Sequence, residues 1–236
     1  MADQLFKKRR ERANKEKFAA KKIIPHRYLI VCEGEKTEPH YFEGFRKIIN
    51  DKIGNKIVVK GIRAERIEVY GVGRNTISLV DYTLKLQAAA SIDFGHVYCV
   101  FDKDSFTDEQ FNNAIIKCKE NNIIPIWSNE AFELWFILHF EYLNTAIDRI
   151  SYIKKLSDYF KFYSINKGKY EKNLVNIYEI LTQYGDVSKA VKYAKKLEET
   201  YTESQAALPS AMHPLTMAYK LVEELQRLIE STGMYN

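Results

Sequence analysis

Acidic side chains close two apolar segments of this 236-residue chain. Residues 28–32 are followed directly by Glu33, and residues 97–101 by Asp102 and Asp104. Short runs of aliphatic, β-branched and aromatic residues are typical of buried parallel strands, and ligands of α/β proteins gather beyond the carboxyl ends of such strands. We therefore expect the three carboxylates to meet at one edge of a sheet.

A divalent cation is the expected occupant of that edge, because three neighbouring carboxylates cannot all stay ionised without one. Asp102 and Asp104 lie two residues apart, so on an extended segment both point to one side. Such a pair suits Mg²⁺, with Mn²⁺ as a substitute, and leaves coordination positions for water and phosphate oxygen. The pattern predicts phosphodiester chemistry, in which Glu33 is a further metal ligand or the general acid or base. The alternative is structural, because Asp also favours turns and helix caps.

A fourth candidate carboxylate, Glu133, lies on an apolar segment that is predicted to be a helix from about residue 130 to 142. Glu133 shares a helical face there with Phe136, Ile137 and Phe140. Its carboxylate either approaches the acidic site or forms a salt bridge with a buried partner, and both alternatives remain open. We interpret His139 as a core or rim histidine rather than a catalytic one.

Cationic side chains near these motifs, and in the N-terminal leader, are the candidates for contacting nucleic-acid phosphates. Residues 71–75 form a glycine turn that is similar to a phosphate-cradling loop, but they lack the third glycine of a dinucleotide fingerprint and the GK[ST] of a P-loop. An aromatic and basic mixture at residues 161–172 suits stacking on single-stranded RNA or, alternatively, an ordinary amphipathic helix pair. The cationic candidates for contacts with nucleic-acid phosphates are Lys36, Arg74, Lys103, Lys7, Lys8, Arg9, Arg10 and Arg12.

The positive charge of the chain lies in its leader. Residues 1–27 carry ten Lys or Arg and three Asp or Glu, a net of +7, and the remaining residues carry 26 basic and 28 acidic side chains, a net of −2. A basic arm commonly contacts nucleic acid, with an affinity that falls as salt rises. The alternative is a solvated tail that only aids solubility.

Composition favours a globular protein of the cytoplasm. Hydrophobic residues make up 46% and charged residues 28% of the chain, and no apolar stretch reaches the roughly 20 residues that cross a bilayer. The three cysteines lack CxxC spacing, so we expect neither a disulfide framework nor a zinc site, and we expect a reducing compartment.

Alternating apolar segments predict an α/β fold with a mostly parallel sheet. We expect a basic leader over residues 1–26, an α/β core over 27–143 and a helical region over 144–236. Ser128 and Asn129 are expected to cap the helix from about residue 130 to 142. In the C-terminal region we expect four helices, at 145–163, 170–184, 187–206 and 213–231, and no strand.

The acidic motifs resemble those of Toprim domains, the metal-binding modules of topoisomerases, primases and nucleases. A hydrophobic strand that ends in Glu-Gly is matched by residues 31–34, and a strand that ends in Asp-x-Asp by residues 102–104. A longer resemblance, from about residue 27 to the end, is to the RloB-like family. Its motifs are matched at residues 32–38 with Tyr41-Phe42, at 128–135 with 138–140, at Tyr170 and Lys172, and at His213, Pro214 and Thr216.

The resemblance implies a Toprim-like fold and a Mg²⁺-dependent nuclease that acts as a toxic effector of bacterial antiviral defence, often beside an ABC-type ATPase. Related effectors act on tRNA, so RNA, and tRNA in particular, is the substrate that the resemblance implies. It assigns Glu33 as catalytic acid or base and Asp102 and Asp104 as metal ligands, with Glu133 and Asn129 in support. Two other functions stay open: a non-catalytic subunit that binds nucleic acid or the ATPase, and nucleotidyl transfer. A homo-oligomer is also compatible with the sequence.

Overall fold

The computed structural model describes residues 23–59, 61–73, 75–104, 106–202 and 208–232. Within them, one sheet of five strands is parallel except for its last strand, which is antiparallel, and a separate hairpin of two strands lies apart from it. In chain order the strands are β1 (Ile23–Cys32), β2 (Lys56–Val59), β3 (Ile62–Glu65), β4 (Ile67–Gly71), β5 (Asp93–Asp102), β6 (Ile124–Asn129) and β7 (Leu215–Thr216). The sheet has the order β4-β1-β5-β6-β7, and β2 pairs with β3.

Helices flank this sheet and make up most of the C-terminal part. They are α1 (Thr37–Ile53), α2 (Thr76–Ala89), α3 (Asp108–Glu120), α4 (Glu133–Leu138), α5 (Arg149–Phe162), α6 (Ile177–Tyr184), α7 (Val187–Thr202) and α8 (Ala218–Thr232). The predicted α/β class, with a mostly parallel sheet and C-terminal helices, is therefore confirmed.

The central strands β1 and β5 bring the two acidic motifs to one edge. Residues 28–32 and 97–102 are buried, as expected for strands covered on both faces. Val31 pairs with Cys99 and Cys32 with Val100, so both strands end at the same level. The backbone N–H of Glu33 continues this pairing by donating to the carbonyl of Val100 at 2.8 Å.

The expectation that Ser128 and Asn129 cap a helix is wrong. Both are the last residues of β6, and they pair with Thr216 and Leu215 of β7. The Ser128 and Thr216 hydroxyls lie 2.9 Å apart in the core. The helix that follows covers only Glu133–Leu138 and is buried on every side, so its apolar run reflects burial rather than the stripe of a longer surface helix.

The prediction that no strand follows residue 144 is also wrong, because β7 extends the sheet beside β6. Two residues are too few to show the alternating pattern by which a strand is recognised. Residues 170–176 are likewise not helical, and α6 begins only at Ile177.

All three cysteines, Cys32, Cys99 and Cys118, are free and buried. None of the helices in the described part of the chain has the length and apolarity that a membrane crossing requires.

Candidate functional site at the carboxyl edge of the sheet

An open cleft of about 490 Å³ lies where β1 and β5 end. The turn after β1, the first turn of α1, the turn after β5 and the start of α5 surround it. Its charged lining consists of Glu33, Glu35, Glu38, Asp102 and Asp104 together with Lys36, Arg149 and Lys172. The cleft is therefore rich in carboxylates, with three cationic side chains among them.

The structure brings Glu33 and Asp102 together. The Glu33 carboxylate accepts a hydrogen bond from the backbone N–H of Asp102 at 3.3 Å. The turn that carries Glu33 is held by close backbone packing, because a Cβ on Gly71 would lie 2.7 Å from the Gly34 carbonyl oxygen. Two residues 69 positions apart thus share one edge of the sheet.

Asp102 and Asp104 face the same guanidinium, although the segment is not extended as expected. The strand ends at Asp102, and Asp104 sits in a turn with a φ of +30°. Arg149 Nη1 lies 2.5 Å from Asp104 Oδ2, and its Nη2 lies 3.7 Å from Asp102 Oδ2. The Lys103 amino group lies against Asp108, at 3.0 Å, and the Phe106 carbonyl, so Lys103 does not line the cleft.

Glu133 joins this group from the start of α4. Its side chain is fully buried, and its Oε2 lies 3.6 Å from Arg149 Nη2. The Tyr170 hydroxyl lies 3.5 Å from its other oxygen. Glu133 therefore both approaches the acidic site and forms a salt bridge, because its cationic partner, Arg149, also contacts Asp102 and Asp104.

His139 is a core residue. Its ring is buried, and Nδ1 lies 2.9 Å from the Trp135 carbonyl. Burial lowers the pKa of His139 to about 4. It is not among the residues that line the cleft.

Three charged residues of the cleft, Glu35, Glu38 and Arg149, are not among the candidates from the sequence. Glu38 is only 4% exposed, and its carboxylate packs over the backbone of Gly34, where an added Cβ would lie 2.4 Å from Oε2. An acid in the first turn of a helix is common and does not by itself mark a site. Arg149 is the first residue of α5, after Asp148, whose side chain accepts from Ser151 N–H. No local motif marks Arg149 as a partner of residues near position 104.

Burial shifts the protonation of the acidic residues. Desolvation raises the pKa of Glu33 to about 8, although the Asp102 N–H opposes the shift. Desolvation and the charge of Glu133 raise the pKa of Glu38 to about 7. The pKa of Asp102 lies well above its ordinary value, because of burial first and of Glu38 and Glu133 next. The cleft therefore retains protons near neutral pH.

Arg149 is charged, but its hydrogen-bonding capacity is only partly used. Burial alone would lower its pKa, yet the charges of Glu133, Asp102 and Asp104 raise the pKa above its usual value. Its Nε is buried without a hydrogen-bond partner among the described residues. The same holds for Asp102 Oδ1 and Glu133 Oε2.

The donor set has the chemistry of a Mg²⁺ site, since it consists of carboxylate oxygens, two of them buried without hydrogen bonds. In the arrangement described, however, no three Asp, Glu, His or Cys side chains of the described residues are placed to hold one metal ion. Arg149 already contacts the carboxylates that would have to close around the ion. The metal site thus stays a prediction.

Only some of the cationic residues that are expected to contact nucleic acid lie at the cleft. Lys36 lines the cleft, as does Lys172 of the aromatic and basic segment. In that segment Phe162 is exposed, whereas Tyr170 is buried against Glu133. Arg74 and the leader candidates, Lys7, Lys8, Arg9, Arg10 and Arg12, lie outside the described residues.

Fold and cleft together define an α/β protein with a carboxylate-rich site at the carboxyl edge of a mostly parallel sheet. The family model for RloB-like proteins matches residues 28–225, and the chain belongs to this family. The searches of curated proteins and of solved structures each found no match.

Proposed function

We propose that this protein is a Mg²⁺-dependent nuclease of the Toprim type that hydrolyses phosphodiester bonds, with RNA, and tRNA in particular, as its substrate. The observation that supports this proposal best is that Glu33, Asp102 and Asp104 meet in one cleft, with the buried Glu133 beside them against Arg149. They come from three separate parts of the chain, and pKa values shifted by burial are typical of functional carboxylates.

Asp102 and Asp104 are the residues that would hold the metal, with Glu33 as a further ligand or as the acid and base. A bound Mg²⁺ would neutralise charge on the phosphoryl oxygens. Glu33, with a pKa of about 8, holds a proton at neutral pH. It is therefore suited to donate that proton to the departing oxygen of the substrate.

Three cationic side chains of the cleft suit a phosphate-bearing ligand. Lys36, Arg149 and Lys172 line the same opening as the carboxylates. Their charges attract a polyanion, and the open shape of the cleft suits a chain that passes through it rather than a small enclosed molecule. The preference for RNA, the role as a toxic effector in antiphage defence and the ABC-type ATPase partner follow from the family resemblance, and the cytoplasmic location from the composition and cysteine pattern.

The test is cleavage of labelled tRNA, single-stranded RNA and single-stranded DNA with and without Mg²⁺ or Mn²⁺. Glu33→Gln and Asp102→Asn should each abolish cleavage while the melting temperature stays at or above that of the wild type, because both replace a buried carboxyl by a neutral isostere. Glu120→Gln, an exposed acid at the end of α3, is the matched control and should cleave normally. Cleavage that survives both cleft substitutions would place the chemistry elsewhere.

The ion pairs of Arg149 favour one alternative, a non-catalytic subunit that binds nucleic acid or an ATPase. A guanidinium beside Asp102, Asp104 and Glu133 offsets part of their negative charge without a metal. Removal of residues 1–22, which precede β1, separates the two functions. Loss of nucleic-acid binding, with no cleavage by the full chain under any metal, would support the non-catalytic subunit.

A further inference from the structure

Arg149 lines the acidic cleft and faces three carboxylates. Its charge is opposite to theirs, but most of its distances to them are too long for hydrogen bonds. Only the contact with Asp104, at 2.5 Å, is within hydrogen-bond range. The separations from Asp102 and Glu133 are 3.7 and 3.6 Å, beyond the 2.7–2.9 Å of a typical charge-assisted hydrogen bond. The guanidinium therefore lies near three carboxylates but is hydrogen-bonded to only one of them.

Buried polar atoms without partners surround the same guanidinium. Glu133 has no exposed surface, and its Oε2 faces the guanidinium at 3.6 Å without a hydrogen bond. Among the described residues, Asp102 Oδ1 and Arg149 Nε also have no hydrogen-bond partner. Buried polar groups normally find partners, so this arrangement is incomplete for a permanent structural salt bridge. A small divalent cation binds oxygens from several directions, so it could coordinate the unbonded carboxylate oxygens that the planar guanidinium leaves without hydrogen bonds.

Arg149 and such a cation cannot use the carboxylates at the same time. Both are positive, and both require the oxygens of Asp102 and Asp104. The backbone of Arg149 is fixed at the start of α5 by the Asp148 cap, so only its side chain can leave. That side chain is 24% exposed and borders the open cleft, which gives the guanidinium a path toward solvent.

We infer that Arg149 is an internal counterion of the acidic cleft that competes with a divalent cation for Asp102 and Asp104. This inference rests on the proposed metal-dependent function. The cation binds only as the guanidinium withdraws, so Arg149 weakens metal binding and keeps the cleft in a metal-free state until the divalent concentration or a bound partner favours its release.

The test measures binding of Mn²⁺ alone to the full chain, by calorimetry and by electron paramagnetic resonance of the free ion. Arg149→Met, which keeps an unbranched stem but removes the guanidinium and its charge, should bind Mn²⁺ about tenfold or more tightly than the wild type. Lys155→Met is the matched control, because Lys155 lies on the same helix and pairs with Glu141 at 2.6 Å outside the cleft. It should bind Mn²⁺ as the wild type does.

Each result decides between specific claims. Wild type and Arg149→Met that bind Mn²⁺ within about twofold of each other would overturn the competition while leaving the metal site in place. An equal gain in Lys155→Met would also overturn it, because the effect would then be general charge. No binding by either protein, or binding to Arg149→Met that persists when Asp102→Asn is added, would overturn both the competition and the proposed metal site.

A measurement on the wild-type chain covers the case in which Arg149→Met does not fold. In protein labelled with ¹⁵N-arginine, the Nε–H signal of Arg149 is assigned by its absence from Arg149→Lys. This proton is buried, so it should exchange slowly with water, and Mg²⁺ should convert it to fast exchange. Retention of slow exchange at saturating Mg²⁺ would overturn the inference.

Discussion

Arg149 and Asp104 form an ion pair of 2.5 Å across the cleft, between the first residue of α5 and the turn after β5. The two residues are 45 positions apart in the chain. Through this contact the C-terminal helices supply the positive charge that the sheet edge requires. The stability of the fold and the chemistry of the cleft therefore depend on the same side chain.

Arg149→Met should destabilise the fold by about 3–5 kcal/mol, because it leaves the buried Glu133 carboxylate without a cation. Urea denaturation at neutral pH measures the loss. Lys154→Met breaks a pair with Asp158 in which the side chains are 77% and 64% exposed, and it should cost less than about 1 kcal/mol. Equal losses in the two variants would show that the Arg149 contacts are no stronger than a surface pair.

Stability should fall as the pH rises from about 5 to 8. The pKa values of Glu33 and Glu38 are raised from 4.5 to about 8 and about 7, so in this range the folded chain holds protons that the unfolded chain has lost. Each such proton lowers the free energy of unfolding by about 1.4 kcal/mol per pH unit, and the stabilisation is complete only below the unfolded pKa.

Urea denaturation across this pH range, with Glu33→Gln and Glu38→Gln as comparisons, measures the slope. Each substitution should flatten the curve, because it removes one proton that is taken up on folding. A wild-type stability that stays level or increases with pH would contradict the burial of these carboxyls in protonated form.

Thr216→Val should destabilise the fold by about 1–3 kcal/mol, because it removes the hydroxyl that pairs with Ser128 and that accepts from the N–H of Ala218. Thermal or urea denaturation reports the loss. Thr182→Val, at an exposed position of α6, is the control and should change stability little. If both variants are as stable as the wild type, the Thr216 hydroxyl and its two hydrogen bonds add nothing to stability.

The sequence predicts the sheet edge well, for a physical reason. Glu33 follows one continuous buried strand and Asp102 ends another. The carboxyl ends of neighbouring parallel strands lie at the same edge of a sheet. The local pattern therefore specifies both the strand and the position of its carboxylate. The same reasoning placed Asp104 nearby but assigned it an extended conformation, whereas its φ of +30° puts it in a turn.

The rest of the site depends on tertiary packing that no local pattern encodes. Arg149 was expected to lie on a helix, but the direction of that helix toward the cleft is set by contacts with α4. Glu38 has the ordinary place of an acid in a first helical turn, and only the close packing on Gly34 shows that it is buried. The two-residue strand β7 has no periodicity to detect.

The central claim is that Asp102 and Asp104 hold a divalent cation in the acidic cleft, and a crystal of the wild-type chain soaked in Mn²⁺ tests it most directly. The anomalous signal locates the ion without reference to activity. We predict an ion within about 2.1 Å of oxygens from Asp102 and Asp104, with the Arg149 guanidinium withdrawn from both. A cleft without an ion at saturating Mn²⁺, with Arg149 still paired to Asp104, would contradict the account.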